Sequence, residues 1–424
     1  MTAETLYAVL SLVLPCVGAV AAVLLLRAAR FSLGEIGCRA VVAGTIAGLL
    51  LGPSVFGRVF PERFESIVLG GVKEREAVDY ARWLAAHAPA AAQSLTEEGR
   101  AALIDQGRRD VAAKEAALNA ARAAHQRPLR TFVMIIIALS LLASCSRSVG
   151  AGDRRQGWLT PASVGIWSFA LPAAAAYLCA FRFWNLSAGE AALLAAAVAI
   201  GPWAIGAIER AAADGAEFGG ARMMQTAGRI ASALAIVLAA WAGWRVRGVE
   251  GLVMLSPLAA LPVAWLIALM RSGSRGAKVS TRAESTGIHA FVVELLIAIV
   301  ATLVAMKIDL HAPWTWALLG ALVALPLIAD DGRWLGAFLG AMLPGGRPGL
   351  RTMRLVMPAM AAGPTQLAVA GLALQDSLLP QRFALPLLAG VILIEITAPA
   401  RRHMAARLIE VEDDIMVRGL LPGG

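Results

Sequence analysis

Val42-Ala-Gly-Thr-Ile-Ala-Gly-Leu-Leu-Leu-Gly-Pro-Ser-Val-Phe-Gly57 decides how this chain is read. The run is apolar enough to lie in a bilayer, yet it carries a Gly-Pro pair that ordinary spanning helices lack. Glycines at 44, 48, 52 and 57 let a second backbone approach closely, and Pro53 interrupts the helical hydrogen-bond ladder. Interrupted backbone inside a bilayer is tolerated only where protein or a water-filled cavity receives the freed polar groups. The stretch therefore predicts a transporter-like membrane protein.

The whole chain agrees with that stretch. Of its 424 residues, 58% are hydrophobic and 16% charged, a composition foreign to soluble domains of this length. The net charge of +9 is spread over many short loops, so it reads as a topology signal and not as a nucleic-acid footprint. Cys16, Cys38, Cys145 and Cys179 fall in or beside apolar segments without Cys-x-x-Cys spacing, which predicts packing roles. The five histidines are scattered, and neither a metal site nor a cofactor is expected. No nucleophile–base set or phosphate loop stands out, so enzyme activity is not expected. The N-terminus lacks a cationic region and a cleavage site, so the first apolar segment should remain as a helix.

Windows of about 20 apolar residues mark spans near 6–26, 37–56, 131–147, 161–180, 187–208, 228–244, 250–270, 288–306, 313–343, 352–374 and 383–400. The ninth is long and is interrupted by Ala-Asp-Asp-Gly at 329–332, which leaves one tilted or broken span or two short ones. Counting it once puts most Arg and Lys of the short loops on one side. The positive-inside rule then favours eleven spans with the N-terminus outside and the C-terminus in the cytoplasm. This divides the chain into two first spans (1–57), an extramembrane insert (58–129), the remaining membrane domain (130–402) and a short cytoplasmic tail (403–424). In the insert, Ser94-Leu-Thr-Glu97 reads as a capping box, and Pro128 should end the helix it opens. Ile104, Val111 and Leu118 recur every seven residues and predict a helical hairpin packed on itself or on a partner.

Four motifs bear on function. Ser187 with Glu190 three residues on predicts a helix start, which makes Glu190 a capping residue. Gly201-Pro202 then sits within the apolar run and should break that helix. Glu294 and Glu395 each interrupt an apolar run, so each is either a working carboxylate or a hydrogen-bonded structural group. Arg333 follows Asp330 and Asp331. It is either embedded and paired with Asp330 at spacing three, or the flank of an aqueous Asp-Asp-Gly turn.

Taken in order, these segments resemble the monovalent cation:proton antiporter superfamily, the Kef-type and sodium–proton exchangers. Residues 42–57 are similar to the family's second-helix signature, and 186–205 resemble its unwound helix, with Gly201 where the family often has Ser or Thr. Residues 291–310 and 391–399 resemble later helices. The segment 355–374 resembles the second broken helix, interrupted at Gly363-Pro364, and Gly332-Arg333 resembles the site of the embedded cation. The resemblance implies an all-α, inverted-repeat membrane protein with two broken helices. It further implies a secondary transporter in a bacterial inner membrane exchanging protons for Na⁺ or K⁺, in a scaffold that often forms homodimers. One departure is large. Counting from Gly228-Arg229, the family's acidic pair falls on Leu238-Ala239, which carry no carboxylate. The implied transport site would then draw on Gly201, Pro202, Gly363, Pro364, Arg333, Asp330, Asp331, Glu294 and Glu395. The alternative is a transport-inactive relative serving as a membrane sensor or complex subunit.

Overall fold

The computed structural model describes residues 3–29, 36–91, 96–145, 159–201, 218–263, 286–311, 313–343, 363–375 and 378–397. Among them every regular element is helical. The principal helices are α1 (Ala3–Ala28), α2 (Ile36–Leu51), α3 (Val72–Ala91), α4 (Glu97–Cys145), α5 (Leu159–Phe183) and α6 (Ala188–Ala199). They continue with α7 (Phe218–Arg247), α8 (Val249–Leu255), α9 (Thr286–Ala305), α10 (Trp316–Met342), α11 (Gly363–Gln375) and α12 (384–397). Four described segments are long and apolar enough to cross a membrane: Leu6–Ala28, Arg39–Val59, Thr160–Phe183 and Thr226–Arg247; several shorter apolar helices accompany them. Pro202, the remainders of the spans near 187–208, 250–270 and 352–374, and the tail 403–424 lie outside the described residues.

The opening stretch works by close approach. α2 lies along α9, and its glycines meet that helix's backbone in step. A Cβ on Gly44 would strike the Ala298 carbonyl, one on Gly48 the Thr302 carbonyl, and one on Gly52 would stand 3.1 Å from Met306. Both numbers rise together, so the two helices run parallel. α2 ends at Leu51, just before Gly52-Pro53. There the buried Ser54 hydroxyl donates to the Ile308 carbonyl (2.7 Å) and accepts from the Leu310 amide (3.1 Å). The Ser54 side chain thus ties the end of α2 to the chain that follows α9.

A second glycine seam joins α10 to α5. Gly332 faces Pro172, Gly336 faces Trp167 and Ser168, and Gly340 faces Ser163 and Val164. Here the numbers run oppositely, so this pair is antiparallel. α6 and α7 are antiparallel as well, with Gly201 against Gly228 and Ala231 and Gly189 against Arg245 and Val246.

The insert is a helical hairpin, but three of its details differ from expectation. α4 runs through Pro128 without ending, so the insert's second helix and the third span are one helix of 49 residues, about 74 Å long. A proline removes one helical hydrogen bond, and the apolar run that follows it packs against α9 and the core, which holds the helix on course. The cap is Thr96, whose hydroxyl accepts from the Gly99 amide (3.4 Å); Ser94 lies outside the described residues. Leu118 is buried and Val111 half-buried as the heptad predicts, whereas Ile104 is exposed and Leu103 turns inward beside it. The hairpin closes through a chain of charges, Glu65–Arg75–Asp79–Arg82–Glu115, with Arg82 to Glu115 at 2.6 Å.

Candidate functional site

α6 determines where the site lies. Ser187 and Glu190 close the predicted capping box: the Ser187 amide donates to Glu190 (2.9 Å) and the Glu190 amide to the Ser187 hydroxyl (3.3 Å). Nearly every residue from Ala191 to Ala199 is fully buried. The helix has only 12 residues, about 18 Å, against a hydrocarbon core of about 30 Å. Its end at Ile200–Gly201 is buried in the protein, where unmatched carbonyls are costly.

Two side chains meet that end. Arg333, on α10 and 1% exposed, donates from its guanidinium to the Val198 carbonyl. The fully buried Ser232 of α7 donates its hydroxyl to the Gly201 carbonyl at 3.0 Å. A cation at a helix C-terminus is also the favourable sign for the helix dipole. The same guanidinium reaches the Gln366 side-chain oxygen at 3.4 Å. Gln366 and its neighbour Thr365 are buried in the first turn of α11, which opens with Gly363 and Pro364. Both segments singled out as broken helices thus converge on one arginine, the end of α6 and the start of α11. Gly201 is tightly placed: a Cβ there would come within 2.8 Å of Ala231 and of the Gly228 carbonyl.

The other expected residues divide. Asp330, Asp331 and Gly332 are all helical, because α10 is a single uninterrupted helix of 27 residues. The aqueous-turn reading is therefore corrected, and the ninth apolar run is one element. The seam of Gly332, Gly336 and Gly340 against α5 explains this, since a turn there would break the packing. Asp331 is exposed and Asp330 half-buried. Glu395 is 5% exposed on α12, whose Gly390 lies beside Gln366 (3.6 Å for an added Cβ).

Glu294 stands apart. Its carboxylate is fully buried and is held by Arg27 of α1 and by Arg39 of α2, the latter at 2.7 Å. A carboxylate gripped by two guanidinium groups, with Arg27 also lying over the Phe291 ring (4.6 Å), ties three helices together. It is a clamp among α1, α2 and α9.

Leu238 and Ala239 sit on α7, with Ala239 fully buried. The antiparallel register of α6 and α7 puts Ser232, not Ala239, against the helix break. Seven residues, about 10 Å of helix, separate the two positions. The face that α7 turns toward the break carries Ala231 and Ser232, both buried. Sequence reasoning missed Ser232 and Gln366. A hydroxyl within an alanine-rich helix and an amide directly after Gly-Pro-Thr were the available signals. Among the described residues no cluster of His, Cys, Asp and Glu could hold a metal ion. No protein-family profile matches the chain, and no curated protein is significantly similar to it.

Proposed function

We propose that this chain is a secondary active transporter working by alternating access on a cation:proton antiporter-like scaffold, in a bacterial inner membrane. The observation that carries the reading is the meeting, at a buried arginine, of the buried end of α6 with the Gly363-Pro364 segment of α11. Spanning helices that stop inside the apolar layer, with ends held by side chains, mark solute sites in carriers. In this reading α5–α6–α7 and α10–α11–α12 are the two inverted halves. The antiparallel contact of α5 with α10 supports the inversion. The eleven-span topology also requires α2 and α9 to be parallel, and they are. Aromatic side chains Phe60, Phe181, Phe183, Trp241, Trp244, Trp314 and Trp316 are exposed at the helix ends this topology places outside, as an interfacial belt would be. A homodimer accords with such scaffolds.

The competing reading, a transport-inactive sensor or subunit, is favoured by the apolar Leu238 and Ala239 at the positions matching the acidic pair.

Cysteine accessibility separates the two. With Cys16, Cys38, Cys145 and Cys179 replaced by serine, Ser232→Cys and Thr365→Cys should each react with an impermeant maleimide from either side of oriented vesicles. Labelling from one side only, or from neither, overturns the carrier reading. Topology has its own check. A reporter fused after Ala124 should read as extracytoplasmic and one after Arg407 as cytoplasmic; agreement between the two would shift the span count by one.

A further inference from the structure

We propose that the clamp of Arg27, Arg39 and Glu294 is a binding site for the phosphate of an anionic phospholipid headgroup. The site requires α1, α2 and α9 to cross a bilayer, and it is independent of the carrier reading and of any solute at Arg333.

Neutralising the buried Glu294 takes one arginine, and the clamp has two. Arg27 donates to one carboxylate oxygen and Arg39, through Nε, to the other (2.7 Å). The three side chains together therefore carry one positive charge in excess. Each guanidinium has five N–H donors, and beyond Glu294 no acceptor among the described residues holds either of them. Arg39 binds through Nε, which leaves both of its terminal NH₂ groups for a second anion. The Phe291 ring covers one face of the Arg27 guanidinium and steadies it there. Glu294 is fully buried while both arginines are partly exposed, so the open side of the clamp consists of donors. The carboxylate is the fixed point that aims both forks, and a guanidinium fork matches two oxygens of one phosphate.

The place of the clamp in the fold argues for a lipid. Arg27 lies in the last turn of α1, Arg39 opens the next apolar segment, and Phe291 begins the apolar part of α9. The chain turns back between α1 and α2, and α2 runs parallel to α9, so these three ends meet at one face of the helix bundle. The eleven-span topology makes it the cytoplasmic face, where basic pockets between spanning helices bind anionic headgroups. Exposed apolar side chains lead away from the clamp. Val13, Val17 and Leu24 form a stripe on α1 at spacings of four and seven. Ile46 and Leu50 stand seven and eleven positions after Arg39, on the same face of α2, and are exposed too. A phospholipid has its parts in this order, with acyl chains along an apolar surface and a phosphate at their end. A free phosphate ion would use the arginines and leave the stripe bare.

The test uses the full-length chain in a nonionic detergent. Dioleoylphosphatidylglycerol or dioleoylphosphatidylcholine is added to the micelles, and thermal melts are recorded at each mole fraction of lipid. Phosphatidylglycerol should raise the melting temperature by several degrees and saturate. Its half-effect should fall at a mole fraction about fivefold below that of phosphatidylcholine, the factor that one basic residue contributes at an anionic surface. Glycerol phosphate, which presents the headgroup without acyl chains, should have little effect at the same total concentration. Variants then move the charge of the clamp in both directions. Arg27→Gln and Arg39→Gln each bring it to zero and should remove the preference. Glu294→Gln leaves two positive charges and should enlarge it, while Arg39→Lys keeps the charge and should retain it. These last two keep the test decisive should the glutamine-for-arginine variants fail to fold. Equal effects of the two lipids on the wild-type protein overturn the proposal. A preference that survives in Arg27→Gln and Arg39→Gln, or one that does not grow in Glu294→Gln, overturns it too, because the lipid then binds elsewhere. A glycerol phosphate shift equal to that of the lipid overturns the lipid as the ligand and leaves a site for free phosphate. Melting temperatures that fall in every variant with the lipid preference unchanged would leave a structural clamp alone.

Discussion

Replacing Arg27 and Arg39 together with leucine should lower the stability of the protein by about 3–5 kcal/mol, because it strands a buried charge. Glu294 has no exposed side-chain surface, and the two guanidinium groups are the partners that hold its carboxylate. Each single variant leaves one arginine in place and should lose less. The asymmetry is informative. Arg27 and Arg39 retain 38% and 25% of their side-chain exposure, so after Glu294→Gln they can turn to water or lipid headgroups, and that variant should cost less than the double arginine loss. Adding Glu294→Gln to the double variant should restore part of the stability, since no charge is then stranded. Thermal melts of these proteins in detergent decide the matter. Equal melting temperatures throughout would mean that the clamp contributes nothing and that Glu294 is open to a transport role.

Much of this architecture was legible in the chain, for physical reasons that differ from element to element. The α6 start was readable because a capping box is local: Ser187 and Glu190 stand only three positions apart. The helix stop before Gly201-Pro202 was readable because proline acts on its own preceding turn. The course of α4 through Pro128 was not, since a proline's local penalty was set against packing of the residues beyond it, which only tertiary contacts reveal. The Asp330–Gly332 segment was ambiguous for the same reason, and the eleven-span count took it as one span. Two acids and a glycine look like a turn, yet the glycine belongs to a close-packed seam and the helix continues. Glu294 was visible as an intruder in an apolar run, but its partners lie 255 and 267 residues away. No pattern within the segment could name them. The counting from Gly228-Arg229 that singled out Leu238 and Ala239 could not report that the helix break faces Ser232, because register between two helices is set by the glycines on both.

Gly48→Leu should be the most damaging single substitution in the membrane domain. A Cβ at Gly48 would lie 2.5 Å from the Ala305 Cβ and strike the Thr302 carbonyl, so even alanine requires α2 and α9 to separate. Overpacking a tight site costs about 1–3 kcal/mol when side chains can give way. Here part of the obstacle is backbone of a helix buried along this face, so the loss should reach or exceed that range. Gly44→Leu should behave alike, since its Cβ would meet the Ala298 carbonyl and stand 2.7 Å from the Ala301 Cβ. Gly320 is the control. It is helical and exposed, and nothing lies within 4 Å of an added Cβ. Gly320→Ala should be neutral or gain up to about 1 kcal/mol from helix propensity. The comparison is read by melting temperature and by the monodisperse fraction on size exclusion. Gly48→Leu that elutes and melts like Gly320→Ala would show that α2 and α9 do not meet backbone to backbone. The parallel pairing on which the eleven-span topology leans would then fall with that contact.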